Sequence, residues 1–287
     1  MAAEEPSYLG TELDLFARKT EQDSCLETTE VLYKPSASVD QTDIEFLVPG
    51  VSETYIDVNL KLFIRGEIIK RDGTELVESD YTAGVNNLLH SLFSQSTISL
   101  NGTQITQASQ LYCYREYLET LLTYGTDPAE SHLRMAFWEL YGGNFKAGDC
   151  SKPAEFSNAG FCARWNHTKN SQGVQMYCRI HADICSVTLL LNSGVKNQIK
   201  LTKAKSSFYL LTTKENGKVY FKIQEALLYA KRIKPCPSVL TGHTVTRLAG
   251  YPITYNLTRV ELKTFTFSSG SQSLSIDDAD WPASRNA

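Results

Sequence analysis

The sequence is poor in the residues and spacings that do chemistry. Its five histidines, His90, His132, His167, His181 and His243, are scattered, and none is spaced with another histidine, a cysteine or a carboxylate as a metal-ligand set. No glycine-rich phosphate loop, no G-x-S-x-G and no H-E-x-x-H occurs, which removes the enzyme classes that those motifs serve. No apolar run approaches the roughly 18 residues that a membrane span needs, so no membrane partner is expected. The N-terminus, Met1-Ala2-Ala3-Glu4-Glu5-Pro6, is acidic and lacks the apolar stretch of a secretory signal, which predicts a chain that is not secreted. On that reading the sequons at Asn101, Asn166 and Asn256 are chance matches. Net charge is −4, so no global basic field draws the protein to nucleic acid, and no specific nucleic-acid contact is expected. There are 7 cysteines, an odd number, with wide spacing and no C-x-x-C. That pattern predicts reduced thiols in an intracellular compartment, not a disulfide framework or a zinc site. No cofactor is implied.

What is present is a β pattern. Residues 44–48 read as a strand stopped by Pro49-Gly50. Ile56, Val58, Leu60, Leu62 and Ile64 alternate with Asp57, Asn59 and Lys61, the mark of a strand with one buried face in an antiparallel sheet. Further strands are expected at 176–184, 187–191, 199–202, 207–212, 219–233 and 257–267, the last with a bulge near Thr264.

The chain is organised around 84–105. Val85, Leu88, Leu89, Leu92 and Phe93 have helical spacing, 97–100 reads as a strand, and Asn101-Gly102 is a strong hairpin signal. A helix is expected over 111–124, with Leu111, Tyr114, Leu118, Leu121 and Leu122 on one face and Gly125 just past its end. Asp127-Pro128 then predicts the start of a second helix carrying Leu133, Phe137 and Leu140. Residues 141–174 read as a long loop with Phe145, Phe156, Phe161 and Trp165 scattered in it. Many short strands and few helices give an all-β-dominated fold, an antiparallel jelly-roll β-sandwich with two or three short helices inserted between strands.

The candidate chemistry is thin. His90 lies in an apolar stretch and reads as a packed core histidine. His181 and Asp183 are two apart on an expected strand, where they would share a face as a hydrogen-bonded pair. Lys196, Lys200, Lys203 and Lys205 form a basic run, but on a strand Lys200 would face away from Lys203 and Lys205. Asp277, Asp278 and Asp280 read as a solvated acidic run.

Several stretches resemble the double jelly-roll major capsid proteins of Polinton (Maverick) transposable elements and the related adintoviruses. They are 11–16, Thr-Glu-Leu-Asp-Leu-Phe; 44–50, Ile-Glu-Phe-Leu-Val-Pro-Gly; 85–95, Val-Asn-Asn-Leu-Leu-His-Ser-Leu-Phe-Ser-Gln; and 114–125, Tyr-Arg-Glu-Tyr-Leu-Glu-Thr-Leu-Leu-Thr-Tyr-Gly. Shorter matches follow at 179–184, 190–195 and 260–265.

The resemblance implies two jelly rolls per chain, homotrimeric capsomers in a capsid lattice around double-stranded DNA, and penton or minor capsid proteins as partners. It also implies a virion location, no enzymatic activity and no cofactor. In the family the chain continues into a second barrel, whereas here 268–287 is polar, which gives the expectation of a truncated copy. The expected layout is an N-terminal arm at 1–43, a jelly roll at 44–240, a linker and the opening strand of an incomplete second barrel at 241–267, and a disordered tail at 268–287. Candidate subunit-interface residues are Leu13, Leu15, Phe16, Val260, Leu262, Phe265 and Phe267. A β-sandwich ligand-binding or host-domesticated interaction protein, using Trp165 and its loop, is the alternative; a hydrolase resting on His181 and Asp183 is a third.

Overall fold

A computed structural model describes residues 24–106, 109–141, 145–151, 158–213 and 218–265. Its strands are β1 (Cys25–Tyr33), β2 (Asp43–Val48), β3 (Tyr55–Ile56), β4 (Lys61–Lys70), β5 (Thr82–Gly84), β6 (Phe93–Leu100), β7 (Thr103–Gln104), β8 (Val174–Arg179), β9 (Asn197–Lys203), β10 (Leu210–Thr212) and β11 (Val219–Pro235). The helices are α1 (Leu88–Ser91), α2 (Tyr112–Thr123), α3 (Thr126–Glu130), α4 (Ala159–Thr168), α5 (Ser206–Tyr209) and α6 (Pro237–Leu248).

The eight main strands pair in a nested order. β1 pairs with β11, β2 with β9, β4 with β8, and β6 with β7, all antiparallel. One long hairpin folded over on itself gives that nesting. Two further pairings, β4 with β11 and β6 with β9, complete two sheets, β1-β11-β4-β8 and β2-β9-β6-β7. This is the strand order of a jelly roll.

Each sheet turns one face inward. Phe46 and Val48 of β2, Leu62 and Ile64 of β4, Ile98 of β6, Ile199 and Leu201 of β9, and Leu228 of β11 lie in one buried core. The alternation predicted for this part of the chain is therefore real, although the run 55–64 is divided between β3 and β4. Arg232 pins the first sheet to the loop before β3: Nε donates to Tyr33 Oη (2.8 Å) and Nη1 to Thr54 Oγ1 (3.0 Å).

Gly66 of β4 faces a register irregularity in β11 between Ile223 and Glu225. A Cβ there would lie 2.3 Å from Lys222 O and 2.5 Å from Phe221 Cε1. Gly66→Ala should therefore cost about 2 kcal/mol through overpacking, lowering Tm by about 4–8 °C in a thermal melt. An unchanged Tm would mean that β11 relaxes freely at this point.

Several expectations need correction. Residues 25–33, inside the stretch read as an arm, form β1; it hid because nearly every side chain in it is partly or fully exposed, so no alternation shows. The helix expected from Val85 shrinks to α1, because Asn87 takes a left-handed conformation (φ 59°) and β6 begins at Phe93. Asn101 and Gly102 both have positive φ (50° and 85°), as the hairpin reading required.

Gly125 does not terminate α2 in a left-handed turn but caps α3. The second helix breaks at Ser131 and continues as a 3-10 turn at His132–Ala136. In 187–191 only Leu191 makes a bridge, to Ile56. The stretch 207–212 divides into α5 and β10. Residues 249–265 carry no strand, since among the described residues no neighbouring backbone ladder pairs with them, so the bulge near Thr264 has no strand to sit in.

The loop 141–174 contains α4, which Asn158 caps by accepting a hydrogen bond from Phe161 N (3.0 Å). It brings Cys162 to Cys150, and a disulfide joins them where reduced thiols were expected. The sequence hid this because the separation of 12 residues is uninformative until the helix forms. Leu13, Leu15, Phe16 and Phe267, and the tail 268–287, lie outside the described residues.

Candidate functional site

The helix α2 is inside out. Four of the residues that share its periodic apolar face are exposed: Tyr114, Leu118, Leu121 and Leu122, at 46%, 42%, 52% and 84%. The face that docks on α1 and β6 instead carries Tyr112, Cys113, Glu116 and Thr120. A helix in water normally does the reverse.

A polar network holds the docked face. The carboxylate of Glu116 accepts hydrogen bonds from Asn87 Nδ2 and from Thr120 Oγ1 (2.8 Å). His90 Nε2 lies 3.7 Å from Glu116 Oε1, and His90 Nδ1 shares a hydrogen bond with Tyr112 Oη (2.9 Å). The Tyr112 oxygen also accepts from His181 N (3.4 Å). Burial pushes the Glu116 carboxyl up to about 7 and drives His90 down to about 3. The His90 reading as a packed core histidine agrees with its place here.

The expected His181–Asp183 pair is not made. β8 ends at Arg179, so the two residues do not share a strand face. His181 Nε2 lies 2.7 Å from Glu119 Oε2, without hydrogen-bond alignment. Asp183 accepts from the guanidinium of Arg115, whose Nε donates to Glu119 (2.7 Å). Burial lowers the His181 imidazole, against the pull of Glu116 and Glu119. Position 116 carries no signal that marks it as buried; only docking reveals it.

Beside this network lies a cavity of about 60 Å³, lined by Ser96, Tyr112, Arg115, His181 and Asp183 and bordered by Val260 and Leu262. That is room for about two waters. Among the described residues no group of three or more histidine, cysteine or carboxylate side chains could hold a metal ion. No helix is long and apolar enough to cross a membrane among those residues.

The other flagged residues fall apart as sites. Lys200 pairs with Asp43 (2.8 Å), and Lys203 donates to Val39 O, so the basic run is divided. Trp165 is buried with Phe161 and Ala83 in a small second core that includes the disulfide. It offers no open ring for a ligand. Of the candidate interface residues, Val260 and Phe265 are about half exposed (44% and 45%), and Leu262 is partly buried at the cavity.

Several solved structures are similar to this chain over part of their length. The PBCV-1 virus capsid matches at TM-score 0.45 and 10% identity, over 79% of this chain and 46% of that one. The Sputnik virophage structure matches at TM-score 0.49 and 13% identity, over 83% and 53%. The mavirus major capsid protein matches at TM-score 0.39 and 15% identity, over 82% and 51%. This chain thus spans about half the length of these structures. No protein-family profile and no curated protein matches it.

Proposed function

We propose that the protein is a structural subunit of a capsid, of the kind found in Polinton and adintovirus elements, and that its chains associate as homotrimers in a capsid lattice. The observation that carries this reading is the apolar face of α2, which the barrel leaves in water. An exposed row of Leu118, Leu121 and Leu122 is a hazard in a monomer and an asset at a subunit contact. The jelly-roll strand order and the motif resemblance at 44–50, 85–95 and 114–125 point the same way. The remaining candidate contacts are Leu13, Leu15, Phe16 and Phe267, with Val260, Leu262 and Phe265. In this reading the barrel and the segment after it are the first part of a two-barrel subunit. Its partners are other copies and further capsid proteins, its place is the virion, and it performs no catalysis.

Light scattering coupled to size exclusion tests this. The expected wild-type mass is that of a trimer. Leu121→Asp with Leu122→Asp should give a monomer that keeps the wild-type circular dichroism spectrum, because neither side chain is buried in the single chain, while its Tm falls by what association contributes. A wild type that stays monomeric at every concentration would overturn the proposal.

A further inference from the structure

A cavity of about 180 Å³ lies between the barrel and the chain that follows β11. Pro237 starts α6 at its first position, and Gly250, left-handed at φ 91°, turns the chain at its end. No residue of α6 is buried, so the space beside the helix is not core. The barrel contributes Tyr55 of β3 and Asn192 to the lining, α6 contributes His243 and Arg247, and the chain beyond it contributes Tyr251 and Tyr255.

The walls are largely aromatic, and most of the rings are fixed. Tyr55 is 7% exposed; its hydroxyl shares a hydrogen bond with His243 Nδ1 (2.7 Å), and the two rings stack with centroids 5.8 Å apart. Tyr255 Oη donates to Leu190 O (3.1 Å) and accepts from Asn192 N (3.0 Å). These rings are held before any ligand arrives, which lowers the ordering cost of binding. Tyr251 is 67% exposed and stands at the rim.

The charge in the lining is one-sided. No aspartate or glutamate lines the cavity, and among the described residues the Arg247 guanidinium makes no ion pair or side-chain hydrogen bond. Burial raises the Tyr55 hydroxyl and the Arg247 charge opposes that rise, so guanidinium and hydroxyl lie within electrostatic reach of each other. An arginine fork matches a carboxylate with two parallel hydrogen bonds. The faces of the tyrosines suit the flat or apolar face of a ring. The Asn192 carboxamide, also without a hydrogen-bond partner among the described residues, offers a donor and an acceptor for hydroxyl groups. The volume is room for about six waters, enough for one six-membered ring with its substituents and too small for a nucleotide.

We infer that this cavity binds one acidic monosaccharide unit of the uronic acid class, its carboxylate on Arg247, its ring face against Tyr251 and its hydroxyls at Asn192. Neither the capsid reading nor its subunit contacts use these residues.

Titration of the full chain with methyl glucuronide, followed by saturation-transfer NMR, tests this. Methyl glucoside, which lacks the carboxylate, and benzoate, which lacks the hydroxyls, are the comparison ligands. The glucuronide should bind with a Kd of about 1 mM, the range for a ligand of this size. Both comparison ligands should bind roughly tenfold more weakly. Arg247→Gln should bring the glucuronide down to the glucoside's affinity and leave the glucoside unchanged, and Tyr251→Ala should weaken both sugars. Both side chains are exposed, so the variants keep the wild-type circular dichroism spectrum. Absence of saturable glucuronide binding overturns the proposal. So does binding that survives Arg247→Gln, which would place the sugar elsewhere. Benzoate bound as tightly as the glucuronide overturns the sugar, because the hydroxyls would then contribute nothing.

Discussion

Arg164→Ala is expected to cost about 4 kcal/mol of stability. Arg164 is 0% exposed. Its Nε donates to Gly84 O (2.9 Å), one Nη donates to Tyr141 Oη (3.2 Å), and the guanidinium lies 4.9 Å from the centre of the Tyr141 ring. It thereby ties α4 to β5 and to the chain that follows the 3-10 turn. Alanine removes all three contacts, orphans a buried carbonyl and leaves a cavity.

Arg164→Met separates these causes. Burial of the guanidinium is costly, as its lowered pKa shows, and among the described residues no carboxylate bonds it. Methionine keeps much of the stem volume and removes that cost, leaving mainly the unpaired Gly84 carbonyl, worth about 1–3 kcal/mol. Urea unfolding followed by tryptophan fluorescence should rank the proteins as wild type, then Arg164→Met, then Arg164→Ala. Should Arg164→Ala fall within about 1 kcal/mol of wild type, α4 is not anchored through this residue.

The same residue marks the boundary of what the sequence discloses. β2, β4, β9 and β11 were legible because each has one face in the core, so apolar residues fall at every second position. The Asn101-Gly102 turn was legible because few other residues tolerate two positive φ values. β1 was not, because it lies at a sheet edge with little buried. α4 was not, because Gly160, Asn166 and Thr168 dilute it, although Asn158 before Phe161 and Trp165 at helical spacing was a usable signal. The extent of α2 was legible to within a residue, but its orientation was not. Periodicity says which side chains share a face, and only the docked neighbours decide whether that face meets the barrel or another molecule. For the same reason nothing singled out Glu116, and His181 and Asp183 read as a pair.

Glu116→Gln is expected to stabilise the protein by about 3 kcal/mol at pH 8 and to have no stabilising effect near pH 4.5. The sign follows from linkage. Burial raises the folded-state pKa from 4.5 to about 7, so the folded protein binds this proton more tightly than the unfolded chain does. The charged carboxylate is therefore a cost that is fully present above pH 7. It is relieved as pH falls toward 4.5, at about 1.4 kcal/mol per unit. Thr120, His181 and Asn87 soften this cost and Glu119 adds to it, but desolvation dominates. His90 acts in the opposite sense. Its folded pKa is about 3 against an ordinary 6.5, so the unfolded chain takes up its proton first, and stability falls below pH 6.5. His181, also lowered, adds to that fall.

In the wild type the Glu116 relief offsets the His90 loss between about pH 6.5 and 4.5, leaving only the shallower fall that His181 contributes. In Glu116→Gln only the imidazole losses remain, so stability starts higher and declines steadily from pH 6.5. Chemical denaturation from pH 8 to pH 4 distinguishes the two shapes. Parallel profiles would mean that Glu116 titrates as in water and that the docked face of α2 is hydrated. Convergence near pH 4.5 would place an uncompensated carboxylate under α2, a stability cost set beside the apolar face that α2 turns to solvent.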